Sequence, residues 1–271
     1  MLRLALLLAS LAAAPAYAQA SAEFAARAPA RSSAAAPGDY DVEAAPAYYV
    51  SDERTPLRAL PEPGARIVET LRRRDGVRVL DVVGEPDGEH AFGWRLVQYG
   101  RLRGYVRTAA LSNVWIRVDK SERTLTLYRG DELVRQLPAD VSTSDEDKVR
   151  RSRLGERDHY RIPEGTFFVT RLNDRSQYYL AFVLSYPNAH HALRGLQNGV
   201  ITEAQYQTIV EADQAGVEPP MNTPLGGLIE IHGQGSGRQR AWTRGCVALR
   251  NVHMDELWDL VAVGTPVVIE P

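Results

Sequence analysis

Alternating apolar and polar residues form short runs along the chain after about residue 45. The runs 66–71, 77–83 and 94–99 alternate in this way, and Asp75-Gly76 separates the first two with a turn. A period of two is typical of strands that bury one face. Short strands at this spacing predict a small β-barrel over residues 46–112.

The same pattern continues beyond Asn113. Residues 115–118 and 124–128 alternate, and the apolar runs 178–184 and 225–231 read as further strands. We therefore expect a second, antiparallel β-rich domain over residues 113–271. The predicted fold class of the whole chain is mainly β.

Two stretches have helical rather than strand periodicity. Residues 202–212 carry a partial apolar face, and residues 252–261 place four apolar residues on one side. Asn251 is the expected N-cap of the second helix. The first helix lies in a long insertion, residues 188–223, which we expect to form a helical lid. Within it, His190-His191 is expected to be an exposed loop pair.

The first residues have the pattern of an export signal. Arg3 precedes an apolar run at 4–14, and Ala16-Tyr17-Ala18 matches a cleavage site, so residues 1–18 are predicted to be a signal peptide. We expect the protein to be exported to the periplasm. No cysteine lies near the cleavage site, so no membrane anchor is expected. Residues 19–45, rich in Ala, Ser, Pro and Arg, predict a disordered linker.

The charge balance excludes some partners. A net charge of −2 gives no strong overall electrostatic field that would attract nucleic acid or a membrane surface. One local exception is the stretch 148–161, which carries six basic residues against Glu156 and Asp158. It is either a solvated loop or a rim that attracts an anionic polymer.

Cys246 is the only cysteine, and it lies 14 positions after His232. A lone cysteine in an exported chain cannot form an internal disulfide, so it is either an inert buried thiol or a reactive one. A neighbouring histidine favours reactivity, because a thiolate needs a base or a cation to form at neutral pH. Gly245 would let the backbone pass close to a reacting carbonyl.

Metal chemistry is not expected. The sequence has no His-Glu-x-x-His, and its six histidines lack ligand spacing. We predict no metal and no cofactor.

The motifs around His232 and Cys246 resemble the L,D-transpeptidase catalytic domain family, also called the YkuD domain. The resemblance rests on Ile231-His232-Gly233 and Thr243-Arg244-Gly245-Cys246, and it covers residues 113–271. Supporting matches are Pro163 to Phe167, Leu184 to Asn188, Leu225 to Gly227 and Asn251 to Trp258.

The resemblance implies roles for these residues. Cys246 would be the acyl-accepting nucleophile, and His232 the base, oriented through the Gly233 carbonyl. Thr243, Arg244 and Gly245 would line the oxyanion region. The implied substrates are peptidoglycan stem peptides, cleaved after the third, diamino-acid residue, with the acyl group passed to an amine.

The chain departs from the family pattern at two positions. Many members have His where this chain has Arg244, and Arg or Asn where it has Ala248. Arg244 keeps a positive charge beside the thiol and should lower its pKa. Arg250 is a candidate for the carboxylate recognition that position 248 lacks, and Lys148 is a second candidate for substrate binding.

Residues 46–112 resemble a bacterial SH3-like domain. The matching segments are Pro56 to Arg58, Pro61 to Pro63, Gly76 to Val79, Gly93 to Val97 and Gly104 to Val106. Such domains often bind cell-wall peptides, but a spacer with no ligand fits these segments equally well.

Three functions remain open from the sequence. The first is a transpeptidase, and the second is a cysteine amidase or carboxypeptidase that hydrolyses stem peptides or protein–peptidoglycan links on the same scaffold. A wall-linked protein is therefore an alternative partner. The third is a non-catalytic cell-wall-binding protein, for which Cys246 would be dispensable.

Overall fold

A computed structural model describes residues 40–83, 93–153, 156 and 159–271. The predicted signal peptide and almost all of the predicted linker lie outside the described residues. The chain divides into two compact units. One comprises residues up to Asn113 together with Arg129–Glu132, and the other comprises Val114–Tyr128 and Leu133–Pro271.

The smaller unit is an antiparallel sheet of seven strands. These are β1 (Ala47–Val50), β2 (Arg54–Arg58), β3 (Ile67–Arg72), β4 (Gly76–Val83), β5 (Trp94–Tyr99), β6 (Leu102–Arg107) and β7 (Leu111–Ser112). Their order across the sheet is β3-β2-β6-β5-β4-β1-β7. Alternation buries Val50, Leu57 and Val97 completely on one face. Among the described residues the end strands β3 and β7 do not pair, so the predicted barrel is an open sheet.

The larger unit holds the remaining strands. These are β8 (Val114–Asp119), β9 (Thr124–Arg129), β10 (Glu132–Pro138), β11 (Val141–Ser142), β12 (Gly165–Ser176), β13 (Tyr179–Leu184), β14 (Glu230–His232), β15 (Ala241–Thr243), β16 (Val247–Ala248) and β17 (Pro266–Glu270). Eight of them form one sheet in the order β10-β9-β8-β17-β12-β13-β14-β16, and β11 pairs with β15. The mainly β class is confirmed.

The larger sheet is mixed rather than purely antiparallel. Within it, β17 pairs in parallel with β8, and β14 with β16. The separate pair of β11 with β15 is also parallel. The parallel pair β14–β16 arises because the intervening loop crosses back to the starting end of β14. Ile231 and Val247 are paired across it, and both are fully buried in the core of this unit.

Three helices lie among the described residues: α1 (Ala189–Gln197), α2 (Glu203–Ala215) and α3 (Asn251–Trp258). The helix predicted at 202–212 is confirmed. Thr202 and Gln205 form a capping box at the start of α2, and Gly216 ends the helix in the left-handed conformation. No helix in the described part of the chain is long and apolar enough to cross a membrane.

The predicted cap of α3 is wrong. Arg250 occupies the N-cap position but makes no side-chain hydrogen bond that caps the helix, and Asn251 is the first helical residue. The Asn251 Oδ1 instead accepts a hydrogen bond from the Gln234 N–H at 2.7 Å. The Asn251 side chain therefore bonds to a residue distant in sequence, although the local sequence predicts that it caps the helix.

The interpretation of His190-His191 as an exposed loop pair is also wrong. Both residues lie in α1, and His191 is 1% exposed. Asn188 caps this helix through a hydrogen bond from the His191 N–H, and the His191 Nδ1 lies 2.6 Å from the same oxygen. His191 is therefore part of the packing of the insertion, whereas His190 is exposed as expected.

Helices α1 and α2 have a small core of their own. It consists of Ala192, Ile201, Ile209 and Leu225. Ile209 and part of Tyr206 face this core, whereas Ala204, which we expected on the same apolar face, is exposed. The apolar side of α2 is therefore largely used in packing against α1.

Candidate active site

The pairing of β14 with β16 places the candidate nucleophile and base on neighbouring strands. His232 is the register partner of Ala248, and Cys246 lies two residues before Ala248. Successive side chains of a strand point to opposite faces. Because Ile231 and Val247 point into the core, His232 points to the other face of the pair, and Cys246 lies directly before Val247 at the start of β16.

Two glycines let the connecting loop lie against the sheet. A Cβ atom at Gly233 would be 2.6 Å from the Tyr178 carbonyl oxygen, and one at Gly235 would be 2.6 Å from the Ala248 carbonyl oxygen. Real Cβ atoms do not approach backbone this closely, so larger residues would push the loop outward. The glycine-rich sequence thus permits the return from His232 to Cys246.

His232 is held as a neutral base. It is 2% exposed, and its Nδ1 lies 2.7 Å from the Gly233 carbonyl oxygen. A carbonyl only accepts hydrogen bonds, so Nδ1 carries the proton and the lone pair is on Nε2. Burial lowers the pKa of His232, and the Gly233 hydrogen bond offsets part of that shift. The Tyr178 ring stacks on the imidazole with centroids 4.4 Å apart.

Cys246 is a protonated thiol in this arrangement. Burial raises its pKa to about 12, with the Glu230 backbone hydrogen bond and the Lys148 charge acting in the opposite direction. Its Sγ donates to the Leu228 carbonyl oxygen at 3.6 Å rather than bonding to His232. Catalytic hydrogen bonds are often long or unmade before substrate binds.

Lys148 is the cation whose charge lowers the pKa of this thiol. It is 5% exposed, and a Cβ atom at Gly245 would lie 3.6 Å from its Nζ. Burial lowers the pKa of Lys148 to about 8, the charge at Cys246 raises it, and Arg161 and Arg151 lower it further. A thiolate at Cys246 would therefore have an ammonium group beside it.

The backbone of Lys148 is fixed by helix α1. The Arg194 guanidinium donates to the Lys148 carbonyl oxygen at 2.6 Å and also pairs with the Asp147 carboxylate. The insertion therefore contacts the segment that carries Lys148, a link that no local sequence pattern indicates.

Arg244 lies differently from Lys148. Its side chain is exposed, and its guanidinium sits 5.5 Å from the centroid of the Tyr160 ring. It does line a cavity of about 300 Å³ together with Cys246 and Lys148. An exposed charge of this kind is screened by water and salt, so its effect on the thiol is weaker than that of a buried cation.

The other predicted site residues divide into two groups. Thr243 is the last residue of β15, where its Oγ1 donates to the Cys246 carbonyl oxygen at 2.6 Å and fixes the direction of the Gly245–Cys246 backbone. Arg250, in contrast, lies along the loop: a Cβ atom at Gly237 would be 2.5 Å from its Cδ. Within the described residues, Arg250 is not part of the cavity lining.

A second cavity continues the basic surface. Its volume is about 490 Å³, and its lining includes Arg150, Arg151, Arg153 and Val200. Arg151 and Arg153 also line the cavity at Cys246. Of the predicted basic rim 148–161, Leu154, Gly155, Arg157 and Asp158 lie outside the described residues.

Sequence reasoning missed Asp140. This residue is fully buried, and its carboxylate accepts four hydrogen bonds from the loop between His232 and Cys246. The one available signal was a charged residue between Leu137 and Val141 in an otherwise strand-like stretch. In the described part of the chain, no group of three or more His, Cys, Asp or Glu side chains is placed to hold a metal ion.

The charges at the thiol make a prediction about its reactivity. Replacing Lys148 with Met should slow the alkylation of Cys246 by iodoacetamide near pH 7 by about 10-fold, because a buried ammonium beside the thiolate is lost and the thiolate fraction falls. Arg244→Ala should slow it by less, because that charge is exposed. The alkylation rates near pH 7 measure both effects.

The matched control is Arg135→Ala, which removes an exposed charge on β10, at the opposite edge of the sheet from β16. Its alkylation rate should equal that of the unaltered protein. A Lys148→Met rate equal to that of the control would remove Lys148 from the thiol's environment.

Comparison with known proteins identifies the family of this domain. A family model for the L,D-transpeptidase catalytic domain (YkuD) matches residues 113–269, more than half of the chain. A search of curated proteins found no match.

Solved structures with a similar fold include three bacterial proteins. An L,D-transpeptidase from Xylanimonas cellulosilytica is 19% identical with a TM-score of 0.36, covering 59% of this chain and 61% of that one. Bd1075 from Bdellovibrio bacteriovorus is 24% identical with a TM-score of 0.39, covering 60% and 49%. The helical cell shape determining protein Pgp2 from Campylobacter jejuni is 19% identical with a TM-score of 0.38, covering 59% and 47%.

The chain spans between about half and three fifths of the length of these structures. With TM-scores this low, the structural likeness carries no argument, and the assignment rests on the family match. The chain carries an L,D-transpeptidase catalytic domain and belongs to the YkuD family.

Proposed function

We propose that this protein is an exported, peptidoglycan-modifying cysteine acyltransferase. The observation that carries the proposal is the pairing of the strand that ends at His232 with the strand that begins directly after Cys246, within the family domain. A nucleophile and a base on rigid neighbouring strands are the minimum that acyl transfer requires.

In the first step, the Cys246 sulfur attacks the carbonyl carbon of the third residue of a stem peptide. His232 Nε2 takes the thiol proton and gives it to the departing amine as the amide C–N bond breaks. The product is a thioester on Cys246 and a free terminal amino acid. The Nδ1–H to Gly233 hydrogen bond keeps the lone pair on Nε2 throughout this exchange.

In the second step, an acceptor amine attacks the thioester carbon. His232 removes the proton from that amine, the C–S bond breaks, and Cys246 leaves as a thiolate that regains the proton. The net result is a new amide bond, with no oxidant, metal or cofactor consumed. Water in place of the amine gives hydrolysis, the alternative amidase or carboxypeptidase activity.

Lys148 supports the charged stage of the reaction. The thiol is neutral at rest because burial raises its pKa, so a thiolate forms only while its charge is stabilised. A buried ammonium beside Gly245 is suited to that stage. We assign the amides of Gly245 and Cys246 to the developing oxyanion, with Thr243 fixing their direction.

The substrate is inferred to be an anionic stem peptide. The cavity at Cys246 and its neighbour share Arg151 and Arg153, and both arginines are exposed. Arginine side chains bind carboxylates in two-pronged geometry. The carboxylates of a stem peptide would therefore follow this basic surface toward the thiol.

The insertion is proposed to favour transfer over hydrolysis. Gly199 and Val200, between α1 and α2, line the cavity next to the one at Cys246. Covering the bound peptide from that side would exclude water from the thioester while an amine is held in place.

The proposal extends to the rest of the chain. We infer that residues 1–18 direct export to the periplasm and that the smaller unit is an SH3-like domain for cell-wall peptides. Both assignments follow from the sequence patterns and agree with a peptidoglycan substrate.

The base assignment predicts a specific pH response. Turnover should fall as acidification protonates His232, and because burial lowers its pKa, the midpoint of that acid limb should lie below about 6.5. His232→Gln should abolish turnover and slow alkylation of Cys246 near pH 7 by about 10-fold or more. Rates of both reactions between pH 5 and about 8 provide the measurement.

His253→Gln is the matched control, since burial also lowers the pKa of that histidine, which lies in α3. It should behave like the unaltered protein. Unchanged alkylation in His232→Gln would show that His232 does not activate the thiol.

The reaction type is tested by product analysis. A purified tetrapeptide stem, with and without an amine acceptor, should give mainly the transfer product when acceptor is present and slow hydrolysis when it is absent. Mass spectrometry of the products distinguishes the two. Hydrolysed peptide alone at saturating acceptor would establish the amidase alternative.

A deletion variant isolates the contribution of the insertion. Removing residues 197–216 takes away α2 but leaves Arg194 and its contacts to Asp147 and Lys148. The ratio of hydrolysed to transferred product should rise by a larger factor than the factor by which total cleavage falls. An unchanged ratio would mean that the insertion does not select the acceptor.

A further inference from the structure

We propose that Asp140 is a positioning residue for the acyl-transfer reaction, which it serves by fixing the loop and the Trp242 indole beside His232. This inference rests on the proposed function, because it concerns how the base and the nucleophile keep their relative placement. Neither the motifs nor the family resemblance assigns a role to this residue.

The Asp140 carboxylate is saturated with hydrogen bonds. Its Oδ2 accepts from the Ser236 N–H at 2.6 Å and the Trp242 Nε1–H at 2.7 Å. Its Oδ1 accepts from the Ser236 hydroxyl at 2.7 Å and the Arg240 N–H at 2.9 Å. An ionised carboxylate offers about four acceptor sites, and all of them are used here.

The charge state agrees with this geometry. Burial alone would raise the pKa of Asp140, but the hydrogen bonds from Ser236, Trp242 and Arg240 lower it below its ordinary value. The group is therefore a carboxylate at neutral pH although it is fully buried. Removing it would leave up to four partly buried donors without their present partner, which is costly.

All four donors come from one functional segment. Ser236, Arg240 and Trp242 lie between His232 and Cys246, in the loop that carries the chain from the base to the nucleophile. The Asp140 backbone also exchanges two hydrogen bonds with Ala248, at 2.8 and 2.9 Å. Since Ala248 is the register partner of His232, Asp140 is attached both to this loop and to the strand pair.

Trp242 links the carboxylate to the base. Its ring meets the His232 imidazole at 68°, with centroids 6.4 Å apart, and the residue is 43% exposed. The indole N–H is bound by Asp140 while the ring borders the imidazole. Asp140 thus sets the position of an aromatic wall on one side of the base, and Tyr178 stacks on the imidazole as well.

Displacements of about 1 Å in a catalytic arrangement reduce rates by about 100-fold. Asp140→Ala should therefore lower kcat by roughly 10- to 100-fold while KM changes less than about 3-fold. Asp140→Asn should be intermediate, because a carboxamide still accepts hydrogen bonds at one end but presents N–H groups to donors at the other.

The matched control is Asp75→Asn in the smaller unit. Asp75 is also a buried carboxylate, and it accepts from the Tyr99 hydroxyl at 3.1 Å and the Arg72 N–H at 2.8 Å. This variant should lose stability without changing kcat or KM by more than about 2-fold. A purely structural Asp140 would give the same outcome at temperatures where the variant is folded.

Trp242→Phe tests the link through the indole. It removes the N–H donor and keeps an aromatic ring, so the losses in kcat from Asp140→Ala and Trp242→Phe should be less than multiplicative in the double variant. The Trp242 Nε1–H resonance should also shift in Asp140→Asn and stay in place in Asp75→Asn. If Asp140→Ala does not fold, Asp140→Asn and Trp242→Phe provide both readouts.

Alkylation of Cys246 separates this inference from the proposed function. Near pH 7, iodoacetamide should react about 10-fold more slowly with Asp140→Asn than with the Asp75→Asn control, whether or not stem peptides are substrates. If the unaltered protein does not turn over stem peptides, the proposed function is refuted, but the role of Asp140 is not. Alkylation and kcat in Asp140→Asn equal to those of the control would overturn the role of Asp140.

Discussion

The parallel pairing of β14 with β16 is the constraint on which the rest of the site depends. It forces the chain to leave His232, cross back along the sheet and enter the second strand from the same end, at Cys246. The glycines of the loop, the Asn251 side chain and the Asp140 carboxylate all serve that crossing. Ile231 and Val247 bury the opposite face of the pair, so the site stands on the core of the domain.

Burial has opposite chemical effects on the two proposed reacting groups, and together they set the resting state. It raises the pKa of the Cys246 thiol and lowers that of His232, so both groups are neutral at pH 7. An ion pair is therefore absent at rest, and the proton moves only when substrate brings charge stabilisation into the site. Lys148 is the buried cation that can stabilise the thiolate when it forms, and helix α1 holds its backbone through Arg194.

Much of this was predictable from local sequence. Alternation located most strands, the helical periodicity over residues 202–212 located α2, and the spacing of His232 and Cys246 located the candidate site. Features set by long-range contacts were not predictable: Asn251 bonds to the loop instead of capping α3, and His191 is buried by the packing of α1. Asp140 likewise reaches the site through a chain segment distant in sequence, where no period or motif marks it. The basic stretch 148–161 pointed to Lys148 as a candidate for substrate binding, but its burial beside the thiol was not predictable.

The central claim is that Cys246 carries the acyl group as a thioester, and its most direct test is the mass of the protein during reaction. Mixed with a tetrapeptide stem without acceptor, then quenched in acid, the protein should gain the mass of the stem minus its terminal residue. Peptide mapping should place that mass on Cys246, and Cys246→Ala should gain none. Stem-peptide cleavage with no adduct on Cys246, or cleavage by the alanine variant at a comparable rate, would contradict the account.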